Sequence, residues 1–566
     1  MRRFASIDFL RGIAIFLMIF LHTILHVLDI DGFLDQINDI PMINIVALII
    51  LPFLGGLAGF FLIVSAIGNM ISMYRHLQAG RNIKDLAIRQ IMGGVLLLIF
   101  AMISESMLSI HGAFANLMKT LDDVSAWNWQ VILYRGYHFE TIHTIAWCII
   151  VNGIVQALLS RKDGWKNPNR LIKIYMILIV VVIVLTPLLW WLVDLAIPGY
   201  PWAIDPDTGV DVQYPYLGVS EWWKFITHFF LNAVAGREEP IFPYLAVSFM
   251  GSIIGITLAQ KREEVRKDFP KRTMQIGFLI FFVGIIGLII NIVLIMDALG
   301  IDAALNLYKG LAFHRNWVPE NPAIASDTLP FLGWLFQFMS LNGAAICLVM
   351  VVVRVVEFRG RGKEFADKTP FFRRFGFIAF TIYNIQWIYF LVWFFISSLL
   401  YGQPYLNLDW AGTFLTMAIT FLIIHGIMLI WERAKYTGSL EWMMGTIAAQ
   451  IIPARKVIDQ KWWQSGQLNV EEAFYNAEWL NIIEKNEIRH ENYADSIMSY
   501  KLSFFGFLFF PISFITFILS RKSVKSEQEN KFNKRAKLIS LAGIIFFLAW
   551  LIPSLFLSLS DLGIAL

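Results

Sequence analysis

Charged and titratable side chains are costly inside apolar runs, so the few that occur there are candidates for chemistry. The most informative set opens the chain. Ser6-Ile7-Asp8-Phe9-Leu10-Arg11-Gly12 leads into an apolar run that reaches His22, with His26 one turn beyond. Arg11 and His22 are eleven residues apart. At about 100° per residue that is three turns plus about 20°, so on a helix both point the same way. The rise of about 1.5 Å per residue separates them by about 16 Å, half a bilayer. One face thus offers a cation at the membrane lip, suited to a phosphate-bearing donor, and an imidazole near the midplane. Neutral imidazole is a general base near pH 7. A plainer reading stands beside this one. Asp8 and Arg11 form a local pair at i, i+3, and His22 is polar glue between helices.

Other polar residues carry less weight. Glu105 lies in an apolar run between Ser104 and Ser106, and Glu140 and His143 are an i, i+3 pair. Arg237, Glu238 and Glu239 form a charged knot. Each could line an acceptor pocket, and for each structural pairing is the stronger reading. Asn152, Asn342, Asn384 and His425 read as helix-packing donors. The two cysteines, Cys148 and Cys347, lie in apolar runs and read as inert buried thiols with no disulfide framework. No Cys/His metal cluster, P-loop or dinucleotide fingerprint stands out.

The elements that must position these residues are membrane spans. Of 566 residues, 57% are hydrophobic and only 16% charged, against about 25% charged in a soluble domain. This excludes an ordinary soluble enzyme, a disordered chain and a disulfide scaffold. The expected fold is all-α, a polytopic transmembrane helical bundle. Runs of about 18 or more apolar residues fall near 7–28, 43–74, 90–111, 141–160, 172–197, 241–260, 274–299, 329–354, 374–401, 411–431, 501–520 and 537–558, about twelve spans. The first follows Met1-Arg2-Arg3 without a small-residue cleavage site and reads as an uncleaved helix. Basic residues cluster at even-numbered junctions, among them Arg75, Arg81, Lys84 and Arg89, then Arg161 and Lys162, then Lys261 to Arg272. That face, with the N-terminus, is expected to be cytoplasmic, in the cell membrane. The net charge of +4 speaks to topology and not to nucleic acid. The loops 198–240 and 300–328 are expected outside. Near the C-terminus the charge rule breaks: counting places the slightly acidic 455–500 inside and the basic 521–537 outside. A crossing by 438–454 would repair this, but that run is short and holds Glu441. Asn469 with Glu472 resembles a capping box, and Phe474, Ala477, Leu480 and Ile483 then give one apolar face.

The first-helix pattern resembles that of the transmembrane acyltransferase superfamily, which includes the acyltransferase-3 and heparan-alpha-glucosaminide N-acetyltransferase-like families. Phe60-Phe61-Leu62-Ile63-Val64-Ser65-Ala66 is similar to its second-helix signature, with Ala66 where Gly is usual. Glu239-Pro240-Ile241-Phe242-Pro243-Tyr244, leading to Gly251 and Gly255, resembles its F-P-x-x-P-W…G element. Phe375-Gly376-Phe377-Ile378-Ala379-Phe380-Thr381-Ile382-Tyr383-Asn384 is similar to the G-x-x-A-L-T-x-Y-x-x-Q stretch of YeiB-like proteins. Gly438-Ser439-Leu440-Glu441-Trp442 looks like their closing G-P-L-E-W. YeiB-like proteins carry Asn at the His22 position, so the chain mixes features of the two groups.

The resemblance covers roughly residues 5–445. It divides the chain into an acyltransferase-like domain (1–445), a polar, partly amphipathic segment (446–500) and two additional helices (501–566). It implies transfer of an acyl group, acetyl expected, from cytoplasmic acyl-CoA to an extracytoplasmic glycan or lipid-linked sugar. In that scheme His22, Arg11 and Asp8 are catalytic, with Arg11 holding donor phosphate. Arg89, Lys84 and Arg81 hold the phosphates of the coenzyme, with positive-inside anchoring an equal reading. His26, Glu140, His143 and Glu239 face the acceptor. No metal and no nucleic acid are expected, and the partners are the lipid bilayer, the donor and the acceptor, with a homodimer left open. The alternative function is a multi-pass transporter or flippase using the same buried charges. A transporter should show an inverted repeat with paired broken helices, and neither stands out in the sequence.

Overall fold

The computed structural model describes residues 4–29, 54, 56–136, 138–197, 200, 222–236, 239–300, 330–359, 362–451, 462–474, 493–506 and 510–561. Met1 to Arg3, Arg237, Glu238, residues 301–328 and Ala477, Leu480 and Ile483 lie outside the described residues.

The described chain is all-helical, as the apolar runs require: in lipid each backbone polar group must be satisfied within its own segment. Its elements are α1 (Ala5–Val27), α2 (Leu57–Gln78), α3 (Ile83–Met107), α4 (Ala113–Met118), α5 (Val131–Arg135), α6 (Thr141–Ser160), α7 (Pro168–Ala196), α8 (Trp222–Ala235), α9 (Ile241–Leu258), α10 (Phe269–Leu299), α11 (Pro330–Val353), α12 (Gly362–Lys368), α13 (Pro370–Phe377), α14 (Ala379–Ile385), α15 (Ile388–Tyr401), α16 (Trp410–Arg433), α17 (Leu440–Ile451), α18 (Val470–Phe474), α19 (Ala494–Phe505), α20 (Phe510–Glu527) and α21 (Lys531–Asp561). Among the described residues ten helices are long and apolar enough to cross a bilayer, with α14 and α15 together forming one of them. They match the first ten expected runs, although residues 43–53 of the second fall outside the described chain. The protein is a multi-pass membrane bundle.

Burial separates core from rim. The apolar window of α9 is 89% buried and that of α7 only 11%, so α9 is interior and α7 presents its Val, Ile and Leu outward. The first helix is threaded through the bundle. Gly12 lies against the carbonyl of Phe372, and Gly376 against the carbonyl of Asp8, so any Cβ at either glycine would collide with backbone. This is the small-residue contact that lets membrane helices approach closely. Phe16 stacks on Phe421 of α16 with ring centroids 4.0 Å apart. At the far end, Leu408 N–H donates to Val27 O at 2.7 Å and Asp29 N–H to Leu408 O at 3.0 Å, which fixes where α1 stops.

In the C-terminal region the expected run at 501–520 falls on two described helices, α19, which ends at Phe505, and α20, which begins at Phe510. Gly506, Ser513 and Gly543 meet where a Cβ on either glycine would strike Ser513. Thr516 and Ser540 share a hydrogen bond of 2.7 Å between α20 and α21. The start of α19 is tied back to the end of the bundle where α1 begins: Asp495 pairs with the buried Arg359. Glu527 accepts from the backbone N–H of Asp495 at 2.7 Å and of Ser496 at 2.9 Å. Lys522 pairs with Glu364 at 3.2 Å. The basic turn after α20 therefore lies at that same end. So does 462–474. The fully buried Arg373 donates to the carbonyls of Ala473 and Phe474, and Leu468 N–H donates to Lys435 O at 3.4 Å. Residues 435 and 468 are thus in contact. Glu472 N–H donates to Asn469 Oδ1 at 3.1 Å, so the cap expected there is present.

Candidate functional site

Two polar clusters sit at opposite ends of α1. At its beginning, Ser6 and Asp8 are buried, and Ser6 donates to the buried Glu357 beyond α11. Arg11 is half-buried, and its guanidinium lies against Gly68 of α2, a position where a side chain would displace it. Arg75 covers the ring of Phe4 at 4.7 Å, and Arg89 Nη1 is 2.7 Å from Nε2 of His76. Arg89 thus bridges the start of α3 to the end of α2. Arg81, in the turn between those helices, and Lys84, in the first turn of α3, are exposed. The backbone N–H of Lys84 is capped by Asn82. Arg11, Arg75 and Arg89 share one end of the bundle.

The other cluster is built on His22 and His26. His22 Nδ1 lies 2.7 Å from Oε1 of Gln386, a fully buried side chain at the break between α14 and α15. In this amide orientation Nδ1 carries the proton and donates it to Gln386, leaving Nε2 as the basic nitrogen. The Gln386 Nε2 is itself buried and without a hydrogen-bond partner among the described residues. His26 Nδ1 is 2.9 Å from both the His22 carbonyl and the Tyr389 hydroxyl. Beside them a carboxylate is held by hydroxyls: Tyr383 donates to Glu105 at 2.9 Å and Ser109 at 2.8 Å. Ser104 donates to Asn384. Such bonds are worth about 0.6 kcal/mol each inside membranes, so the cluster is costly unless every member is paired.

Above it opens a cleft of about 250 Å³ lined by His111, Asn116, Lys119, Asn128, Val131 and Arg135. The short helices α4 and α5 shape it. Asn116 Nδ2 donates to the carbonyls of His111 and Gly112 at 3.1 and 3.0 Å, which pins the turn carrying His111. Phe390 joins the cleft to the histidines: Lys119 Nζ is 4.6 Å from its centroid and the His26 ring 5.3 Å. Arg135 pairs with Glu140 at 3.6 Å and contacts His138. Burial, then the nearby charges of Arg135, Lys119, His22 and His26, push the His111 imidazole well below its usual range. Burial and Arg135 lower Lys119 to about 8, and burial and Arg135 lower His138 to about 2. His111 and His138 are therefore neutral at pH 7, while Lys119 remains mostly cationic.

The expected residues fall into distinct places. Arg11 and His22 are on one helix with the separation their spacing requires, and His26 joins His22. Glu140 and His143 close a capping box at the start of α6, and Glu140 also orients Arg135. Glu239 accepts from Thr141, while its carbonyl accepts from Thr144 at 2.5 Å, locking the α9 approach to α6. Asn152 is a packing donor, bonding Ser248 and Ser252. Five residues of the far cluster escaped sequence reasoning: His111, Lys119, Arg135, Gln386 and Tyr389. Gln386 stands three residues after Tyr383, where the YeiB-like stretch ends in Gln. Lys119 and Arg135 are cations at an odd-numbered junction, exceptions to the charge bias that orients the chain. Comparison with protein-family models, with curated proteins and with solved structures finds no match.

Proposed function

We propose that this protein is an integral membrane acyltransferase. It moves an acyl group, acetyl in the simplest case, from a coenzyme A thioester to a hydroxyl or amine acceptor at the opposite membrane face. The observation that supports this most is the pairing of His22 with Gln386 beneath an open polar cleft, on the same helix as Arg11. About 16 Å separates Arg11 from His22 along α1, so a donor anchored at the first reaches the second only through an extended arm such as pantetheine. The reading uses the resemblance of the first helix and the 375–384 stretch to the acyltransferase superfamily, and the chain's own residues otherwise.

In this scheme Arg11 and Arg89 hold the donor's phosphates at the cytoplasmic end, with Lys84 and Arg81 adding charge from the turn. Asp8 holds the start of α1 in place. Acetyl transfer then needs one proton moved. His22 Nε2 takes the proton from the acceptor hydroxyl as its oxygen attacks the thioester carbonyl, and the imidazolium then gives that proton to the departing thiolate of coenzyme A. Gln386 holds the imidazole in the tautomer that leaves Nε2 basic. A cytoplasmic N-terminus and a cell-envelope glycan or lipid-linked sugar as acceptor complete the proposal.

The test is consumption of acetyl-CoA by purified protein, followed by thiol release, with and without membrane-extracted acceptor. The expected result is turnover lost by at least about 10²-fold in His22→Ala, the scale of a general base. Unchanged turnover in that variant sinks the mechanism. Absence of any acetyl-CoA binding favours the transporter reading instead.

A further inference from the structure

The cleft above His22 carries two features that acyl transfer by itself does not use. The first is Lys119. Its ammonium is half-buried, and among the described residues no carboxylate lies within ion-pair reach of it. Its partner is the face of Phe390. A cation taken out of water without an anion is an unmet cost. The second is the company it keeps. Arg135 also lines the cleft and pairs with Glu140 at 3.6 Å. Glu105 already has both oxygens occupied by Tyr383 and Ser109. His111, Asn116 and Asn128 supply neutral polar groups to the same wall. Both cations also sit at a junction where the charge bias of the chain disfavours them.

The volume sets the scale of the ligand. About 250 Å³ is below the roughly 300–1,000 Å³ of a pocket that encloses a whole small molecule. The cleft is sized for a headgroup, with the remainder of the molecule outside.

We propose that this cleft binds a phosphate group, held between Lys119 and Arg135, and that the acceptor is presented to His22 by that phosphate. The second clause rests on the acyltransferase reading; the binding of phosphate does not. Lys119 and Arg135 give charge-assisted hydrogen bonds to the phosphoryl oxygens. A hydroxyl of the same headgroup then lies on the His22 side, past Phe390. The phosphate belongs either to a lipid headgroup or to a soluble phosphorylated sugar.

The experiment measures binding to the full chain in neutral detergent, with no thioester present. The probes are glucose 1-phosphate against glucose, and micellar phosphatidylglycerol against an uncharged diacylglycerol. The expected result is that at least one phosphate-bearing probe binds roughly tenfold or more tightly than its uncharged counterpart, the size of one charge-assisted contact. Lys119→Gln should remove most of that preference and Lys119→Arg should keep it. An unchanged melting temperature in Lys119→Gln shows that the fold is intact. Binding of the lipid probe alone assigns the phosphate to a headgroup, and binding of both assigns it to the phosphoryl group wherever it is carried. No preference for either phosphate probe, or a full preference in Lys119→Gln, overturns the proposal. His22→Ala should keep phosphate binding while losing acetyl transfer. Phosphate binding without any acetyl-CoA turnover in the parent protein removes the acyltransferase reading and leaves the cleft. Turnover without phosphate preference does the reverse.

Discussion

At the scale of single residues, the hydrogen bond between His22 and Gln386 makes the sharpest demand. Gln386→Leu is expected to lower acetyl transfer by roughly 10- to 100-fold, within the range for a general base out of position, with the Michaelis constant for acetyl-CoA unchanged because the donor is held elsewhere. Gln386→Glu, which keeps an acceptor for Nδ1–H, should restore part of the rate. A rise in the Michaelis constant with the same maximal rate argues that Gln386 shapes the donor path instead. Lys119 makes a second demand, on pH. Burial and Arg135 lower it to about 8, and His111, His138, His22, His26, Glu105 and Glu140 are other titratable groups around this cleft. A lysine is charged below its pKa and neutral above it. Phosphate affinity should therefore fall as pH rises through about 8, and not near 10.4, where a free lysine titrates. Titration of binding from pH 6.5 to 9.5 checks this, and Lys119→Arg should flatten the curve because guanidinium stays charged.

At the scale of elements, what was legible in the sequence is what local periodicity carries. Arg11 and His22 share a face because a helix turns about 100° per residue, and that needs no knowledge of neighbours. The first ten spans follow from apolar length alone. The far cluster was illegible for the opposite reason. His111, Lys119 and Arg135 sit in a polar segment with no helical period, and they meet His22 and His26 only because α3 bonds to α14 and α4 packs on α15, hundreds of residues away. Gln386 and Tyr389 look like ordinary members of an apolar run until the helix breaks between Ile385 and Ile388. Glycine carried more information than it was given. Gly12 in the first-helix motif and Gly376 in the 375–384 stretch are quoted from separate motifs, yet they are two sides of one crossing. Gly12 lies against the carbonyl of Phe372 and Gly376 against that of Asp8. Gly12→Val should destabilise the protein by about 1–3 kcal/mol, the usual cost of overpacking, and so should Gly376→Val. Gly426 of α16 has open space where its Cβ would stand, so Gly426→Ala should be neutral or mildly stabilising. Thermal unfolding in detergent ranks the three. A Gly12→Val melting temperature equal to that of the parent would show that α1 and α13 do not cross there.

At the scale of the whole molecule, the open question of sidedness turns on two short returns in the chain. Counting charges leaves the acidic 455–500 and the basic 521–537 on opposite faces, against the bias of the other junctions. The contacts predict that the conflict resolves without a further crossing. Arg373 grips the carbonyls of Ala473 and Phe474, and Lys435 meets Leu468, so α17 leaves the first end of the bundle and its continuation is back there by 468. The arm α19 has 12 residues, a length of about 18 Å against a hydrocarbon core of about 30 Å. It starts at Arg359 through Asp495, and α20 comes back to the same place, where Glu527 caps Asp495 and Ser496. The expectation is that the pair does not cross the membrane. Only α21 then leads away, so the basic residues before it stand with Arg75, Arg81, Lys84 and Arg89, as the charge bias asks. This predicts a labelling pattern. In a background with Cys148 and Cys347 replaced by Ala, single cysteines at the exposed positions Lys84, Glu471 and Lys525 should react with an impermeant maleimide only in inside-out vesicles. A cysteine at Asp122, on the exposed loop next to Lys119, should react only in intact cells. If Lys525→Cys labels with Asp122→Cys, α20 crosses the membrane and the buried Arg359–Asp495 tie cannot stand. If all four label as expected, the cleft with Lys119 and Arg135 faces the outside, and an acceptor phosphate must reach it from there.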